Sequence, residues 1–251
     1  MCVLALWVGV DRDSPLVVAA NRDESYDRPS EAPRDIEPGI VAGRDLQSGG
    51  TWLGFNRNGI FVAVTNRHRP GKSGDSYSRG LLALEALRCT KLSCLEGRVV
   101  HRTSHLPLAG FNLVAVSGTE GLAFQWDGAL RVSRFGPGAH VISTDRDLDD
   151  PQMPERRLFD RMFAEGAPDP EGIRTYLASH EGERPVCKHN DRFGTVSSAI
   201  YREGRSFLYA PGPPCRTPYG EIPTSSSPSG AGPSTPPRSS SPSRRDEGSR
   251  A

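Results

Sequence analysis

The chain has 251 residues and a mass of 27.2 kDa, enough for one large domain, yet only 35% of its residues are hydrophobic and it carries 27 Gly and 22 Pro, so part of it should not fold. Basic and acidic side chains balance at 31 to 30, a net charge of +1, which excludes a broad phosphate-neutralising face and gives no expectation of a nucleic-acid partner. No apolar run reaches the length of a membrane span, the opening residues lack the basic and apolar regions of a signal peptide, and the 5 cysteines are too irregularly spaced for a disulfide scaffold; the expectation is a cytoplasmic protein with reduced thiols.

Residues 3–10 and 16–20 read as strands, the second running into Ala19-Ala20-Asn21-Arg22-Asp23-Glu24, where the apolar pattern stops and a strand end is expected. Strands follow at 52–55 and 60–65, joined by Asn58-Gly59, then a helix at 79–88 with Leu81, Leu84 and Leu87 on one side. Further strands at 113–116, 122–126, 130–135 and 141–143 include the pair around Asp127-Gly128. Helices are predicted at 154–164, opened by Pro154, and at 170–179; the last strands, 195–201 and 207–209, flank Glu203-Gly204. A glycine in each of these turns supplies the positive φ of a tight hairpin. Many antiparallel strands with a few helices inserted between groups of them indicate an α+β fold. Residues 211–219 are Pro-rich and should lie extended along the surface. From residue 222 the chain is mostly Ser, Pro, Gly and Arg, too polar to offset chain entropy, so a folded domain over 1–221 and a disordered tail over 222–251 are expected.

Cys2 is the first chemical candidate. Removal of Met1 would leave a cysteine with a free α-amine, whose ordinary pKa is about 8, and so a nucleophile and its base in one residue. The plainer role for Cys2 is a small buried hydrophobe at a strand start. A strand ending beside the first would bring Asn21 to Glu24 near Cys2, where Asp23 could orient the amine and Asn21 could hold a carbonyl or the substrate. The plainer role there is an exposed ion pair of Arg22 with Asp23 or Glu24, worth less than about 1 kcal/mol. In Gly49-Gly50-Thr51-Trp52 the glycines allow close approach of a ligand to the backbone, with Trp52 beside it, and Asn66 at a strand end could offer its amide to an oxyanion. Equally, the glycines relieve crowding and Trp52 is core.

Asp145-Arg146-Asp147-Leu148-Asp149-Asp150 begins like a calcium loop, but Asp150 and Arg156 stand where glycine and glutamate are required, so it reads as a polar loop and helix cap. Six histidines never fall at zinc-ligand spacing with cysteines, although His189 lies two beyond Cys187, and no metal site is expected.

Met1-Cys2, Asn21-Arg22-Asp23-Glu24 with Arg28-Pro29, Gly49-Gly50-Thr51-Trp52-Leu53-Gly54, Thr65-Asn66, Ser78-Arg79-Gly80, Phe111-Asn112-Leu113 and Phe193-Gly194-Thr195 together resemble the NRDE family, that of transport and Golgi organization protein 2, over residues 1–219. The resemblance implies a fold of the N-terminal-nucleophile hydrolase type, a four-layer αββα sandwich of two antiparallel sheets. That fold includes the cysteine acylases of penicillin V and conjugated bile salts. Their nucleophile falls on Cys2, their amine-binding aspartate on Asp23, the neighbouring asparagine on Asn21 and the oxyanion asparagine on Asn66. A second active-site asparagine falls near Thr144, and a late arginine near Val196, which cannot replace a cation; the resemblance leaves Arg22 to supply the charge from another direction.

The resemblance therefore implies a Cys2-dependent amidohydrolase acting on a small acyl-amide without a cofactor, with Cys2, Asp23 and Asn66 catalytic and Asn21, Arg22, Glu24, Gly50, Trp52 and Thr144 in support. The alternative from the same family is a non-catalytic carrier of haem or acyl-CoA, in which the glycine-rich loop and Trp52 line an apolar pocket and a histidine such as His68 is a ligand.

Overall fold

The computed structural model describes residues 2–69, 77–164 and 168–223; all but the first two residues of the expected 222–251 tail lie outside them. In chain order, β1 (Val3–Asp11), β2 (Ser14–Ser25), β3 (Ser30–Glu37), β4 (Ile40–Asp45), β5 (Leu53–Asn56) and β6 (Ile60–Asn66) lead to α1 (Arg79–Leu87) and α2 (Leu92–His105). Four more strands follow, β7 (Phe111–Ser117), β8 (Glu120–Trp126), β9 (Leu130–Phe135) and β10 (Gly138–Ser143). The chain then forms α3 (Pro154–Met162), α4 (Pro170–Ala178), β11 (Phe193–Arg202), β12 (Ser206–Ala210) and β13 (Gly220–Glu221).

The strands make two antiparallel sheets, one in the order β10-β1-β2-β11-β12-β13 and one in the order β3-β4-β5-β6-β7-β8-β9. Period-2 alternation divides each central strand between two cores. Leu4, Leu6 and Val8 of β1, Leu16, Val18 and Ala20 of β2, and Phe61, Ala63, Val114 and Val116 of the other sheet meet between the sheets. Val3, Ala5 and Trp7 point the other way, onto Phe159, Ile173 and Tyr176 of α3 and α4. On the opposite side Ile60, Val62, Leu113 and Ala115 pack on Leu82, Ala86, Leu95 and Val99 of α1 and α2. The result is the αββα sandwich, with no helix among the described residues long and apolar enough to cross a membrane.

Every strand and helix expected from the sequence is present. The departures have physical causes. Strand β2 does not end at Ala20 but continues to Ser25, because β11 pairs with it through the whole polar stretch while β1 pairs as far as Asn21. Strand β3, which the sequence reading passed over, is an edge strand carrying charges and Pro33, as edges do. Helix α2 was passed over because only a narrow stripe, Leu95, Val99 and Thr103, is buried. Residues 211–219 turn rather than extend, with Arg216 and Thr217 N–H groups donating to the Pro213 carbonyl, and β13 then joins β12.

The Asp145–Asp150 loop is polar as expected but does not cap a helix, since the N-cap of α3 is Met153. Instead Asp149 receives the Val141 N–H at 2.8 Å, pairs with Arg156 and lies 2.6 Å from His140 Nδ1. Burial alone would lower the His140 pKa, but Asp149 raises it above its ordinary value. A raised histidine stabilises the fold fully below its unfolded value, about pH 6.5, and this contribution disappears as pH rises through the folded value. The stability deficit of His140→Gln against the natural chain, measured by urea unfolding, should therefore be largest below about pH 6.5 and shrink steadily on alkalinisation.

Candidate functional site

Between the sheets, at the end where β1 starts, lies a cleft of about 240 Å3 whose lining includes Cys2, Arg22, Trp52, Asn66, Tyr77 and Arg79. Val3 pairs with Asn21 across β1 and β2, so Cys2 falls opposite Arg22 one step further on. Alternation turns both toward the cleft, while Asn21 and Asp23 face the opposite side of the sheet. The polar run in β2 is thus two sets of residues with different surroundings.

Cys2 is partly buried and clamped to the end of β10. Its main-chain N–H donates to Thr144 Oγ1 at 2.8 Å, and the Thr144 N–H donates back to the Cys2 carbonyl at 3.1 Å. Thr144 therefore grips the Cys2 backbone and is itself buried; it does not line the cleft. Its turn is anchored by Asn112, whose buried amide donates to Thr65 Oγ1, the Ser143 carbonyl and the Arg146 carbonyl. The Cys2 Sγ lies 3.9 Å from the Asp23 carbonyl oxygen. Burial pushes the thiol above its ordinary pKa, so the resting group is SH and any nucleophilic step requires a base.

Asp23 is held behind this wall. Lys188 Nζ lies 2.8 Å from one carboxylate oxygen and the Thr195 hydroxyl donates to the other at 2.7 Å, all three buried. Burial pushes the Asp23 carboxyl up, opposed by Lys188 and Thr195. A carboxylate this dry needs both partners. Of the two roles read for Asn21, holding a backbone carbonyl or the substrate, the structure shows the first: its amide donates to the carbonyls of Leu177 and Val186, and its oxygen accepts from Ser198. It ties β2 to α4 and the loop beyond.

Arg22 enters the cleft as a buried cation. Its guanidinium stacks 4.6 Å from the Trp52 ring centroid, Nη1 donates to Ser30 at 3.2 Å, and Nη2 is 3.7 Å from Asp45 with no hydrogen-bond partner among the described residues. Arg28 bonds Asp45 at 2.7 Å and lies 3.8 Å from Glu24. Burial would raise Asp45, but Arg28, the Ser48 N–H and Arg22 hold it below its usual range. Arg79, in the first turn of α1, reaches the Gly110 carbonyl at 3.0 Å. Among these lining groups three guanidinium groups face two carboxylates, and the cleft is a cationic one.

Asn66 ends β6 on the cleft wall. Gly50 does not line it: a Cβ there would stand 2.2 Å from the Gly80 carbonyl carbon, so this glycine lets α1 start against the loop, with Thr51 N–H donating to the Gly80 carbonyl at 3.0 Å. Of the residues singled out from the sequence, Cys2, Arg22, Glu24, Trp52 and Asn66 share the cleft; Asp23, Asn21, Gly50 and Thr144 support it from behind. Lys188, Asp45, Tyr77 and Arg79 were missed as contributors, although Ser78-Arg79-Gly80 carried part of the resemblance. Ser78 is the N-cap of α1, its hydroxyl accepting from Gly80 N–H, and this cap places Arg79.

The family model described as Transport and Golgi organisation 2 matches residues 1–166. The chain belongs to that family. Similar relatives are the Transport and Golgi organization 2 homologs of Mus musculus, 37% identical over 106 residues, and Bos taurus, 35% identical over 105. Both matches cover 40% of this chain and 38% of the relative, so the aligned part spans well under half the length of each. The fold is that of the N-terminal-nucleophile hydrolases. Penicillin V acylase from Agrobacterium tumefaciens matches with a TM-score of 0.50 at 13% identity over 84% of this chain and 83% of its own. The Caenorhabditis elegans N-acylethanolamine-hydrolyzing acid amidase ortholog matches at 0.52 and 10%, over 80% and 92%, and a variant of conjugated bile acid hydrolase from Clostridium perfringens at 0.53 and 11%, over 84% and 89%.

Lys188→Met should strand the Asp23 carboxylate and destabilise the fold by about 3–5 kcal/mol in urea unfolding. The deficit should narrow on acidification, because a protonated Asp23 no longer needs a cation.

Proposed function

We propose that the family domain is a Cys2-dependent amidohydrolase acting on a small acyl-amide. The observation that carries this reading is the position of Cys2, its thiol in a cationic cleft and its nitrogen 2.8 Å from Thr144 Oγ1. Supporting it, the fold is shared with proteins named as acylases and an amidase.

With Met1 removed, the Cys2 nitrogen becomes an α-amine held by the Thr144 hydroxyl. The amine takes the thiol proton and the sulfur attacks the amide carbonyl, forming the S–C bond as the carbonyl π pair moves onto oxygen. The Asn66 side-chain amide is the donor on the wall best suited to that oxyanion. Collapse breaks the C–N bond, the leaving nitrogen takes the proton back from the α-ammonium, and a thioester remains. Water, deprotonated by the same amine, hydrolyses the thioester to the free acid and restores the thiol. Asp23 acts from behind through its main-chain carbonyl, and its Lys188 bond fixes that stretch of β2. Arg22 and Arg79 suit a substrate carrying an anionic group. No step needs a cofactor, and the free thiols fit a cytoplasmic location.

The alternative, a carrier of haem or acyl-CoA, expects an apolar pocket with His68 in reach. Among the described residues the lining is largely charged and polar and does not include His68, which is not the apolar, histidine-bearing pocket that this reading expects.

Intact mass should show loss of Met1, and brief treatment with a thiol-acylating probe should label Cys2 ahead of Cys94 and Cys215, the exposed thiols. Across a panel of N-acyl amides, Cys2→Ser should lose turnover by at least about a hundredfold, as should a one-residue N-terminal extension, which converts the base to an amide. Retained Met1, or turnover indifferent to both changes, would overturn the proposal. Arg22→Ala should abolish turnover while far-UV circular dichroism stays native.

A further inference from the structure

On the far side of Asp23 from the cleft, two segments distant in sequence bring four metal-binding side chains to one point. His180 follows α4, Cys187 and His189 belong to the loop leading into β11, and Cys215 lies in the turn after β12. One ligand atom of each lies within 4.8 Å of all the others. Cys187 Sγ is 3.6 Å from His189 Nε2, which is 3.2 Å from Cys215 Sγ. A tetrahedral zinc ion with Zn–S of about 2.3 Å and Zn–N of about 2.0–2.1 Å has S···N edges of about 3.6 Å. One recorded edge matches that length and the other is shorter, and small side-chain rotations bring the set to bonding distance.

We propose that His180, Cys187, His189 and Cys215 form a structural site for one zinc ion. Two sulfurs and two imidazole nitrogens in a tetrahedral set are the donors that select zinc over hard cations. Binding releases the two thiol protons, and two thiolates with Zn2+ make a centre without net charge. Four protein ligands leave no open position, which assigns the ion to architecture rather than to catalysis. His180, His189 and Cys215 are exposed and only Cys187 is buried, so the ion enters from solvent.

The site has a clear mechanical role. Cys187 and His189 flank Lys188, whose Nζ holds Asp23, and Cys215 anchors the turn that carries the chain into β13. The ion cross-links the loop before β11 to the turn after β12 and so fixes Lys188 from both neighbours. Its formation is independent of whether Cys2 reacts.

The test uses the full chain, purified reduced, stripped with a chelator, and titrated with Co2+. One equivalent should bind with the intense visible d–d bands of tetrahedral cobalt and a thiolate-to-cobalt charge-transfer band, both removed by stoichiometric Zn2+. Cys215→Ser and His180→Ala change exposed residues and should each weaken Co2+ binding by at least about tenfold, whereas Cys94→Ser, an exposed thiol elsewhere, should leave it unchanged. Absence of the tetrahedral bands in the folded, reduced chain would overturn the proposal, as would bands that persist unaltered in both ligand variants. A Cys187–Cys215 disulfide in protein alkylated at lysis would overturn it as well.

Discussion

Both sheets of this protein are covered on both faces, and that constraint governs the rest. A strand sandwiched twice must be apolar at consecutive positions, as Leu4 to Val8 and Leu16 to Ala20 are, and polar chemistry is pushed to strand ends. Where β2 carries polarity inward anyway, each group must be satisfied without water. Asn21 is met by two main-chain carbonyls and a serine, and Asp23 by Lys188 and Thr195, while Arg22, turned to the cleft, has Trp52, Ser30 and Asp45 around it.

The same constraint explains what could be read from the sequence. Long doubly buried strands such as β1 are conspicuous because they are continuous apolar runs, whereas β4, buried on both faces but with only Ile40, Val41 and Ala42 apolar before Gly43, was not read; Asn58-Gly59, Asp127-Gly128 and Glu203-Gly204 marked three of the hairpins. Elements exposed on one side were harder: β3 is charged along most of its length and α2 buries three side chains. Within the site, Cys2 stood out because loss of Met1 would give it a free α-amine, Arg22 because the apolar pattern stops in the run that holds it, and Asn66 because an amide ends that strand. Lys188 and Thr195 had no local signature, being 165 and 172 residues from the carboxylate they serve. Of the proposed zinc ligands only the Cys187 and His189 pair was close enough in sequence to notice, since Cys215 comes 26 residues after His189, across a hairpin that only folding closes.

The polar run of β2 also shows how one-residue alternation separates functions. Arg22 and its neighbours Asn21 and Asp23 are adjacent in sequence, yet one faces a solvent-connected cleft and the other two a dry interior. Treating Asn21 to Glu24 as a surface turn assigns them one environment, and the strand gives them two. Arg22 and Arg79 reach the same cleft lining from a strand and from a helix start.

The Arg22–Trp52 stack has an optical consequence. The chain has three tryptophans: Trp7 is sealed between β1 and α3, Trp126 sits under Arg69, and Trp52 alone of the three lines the cleft. A guanidinium 4.6 Å above an indole shifts the energy of its excited state, whose dipole differs from that of the ground state. Any molecule that draws Arg22 toward its own charge alters that field, so the cleft carries an intrinsic fluorophore that reports its occupancy without a label.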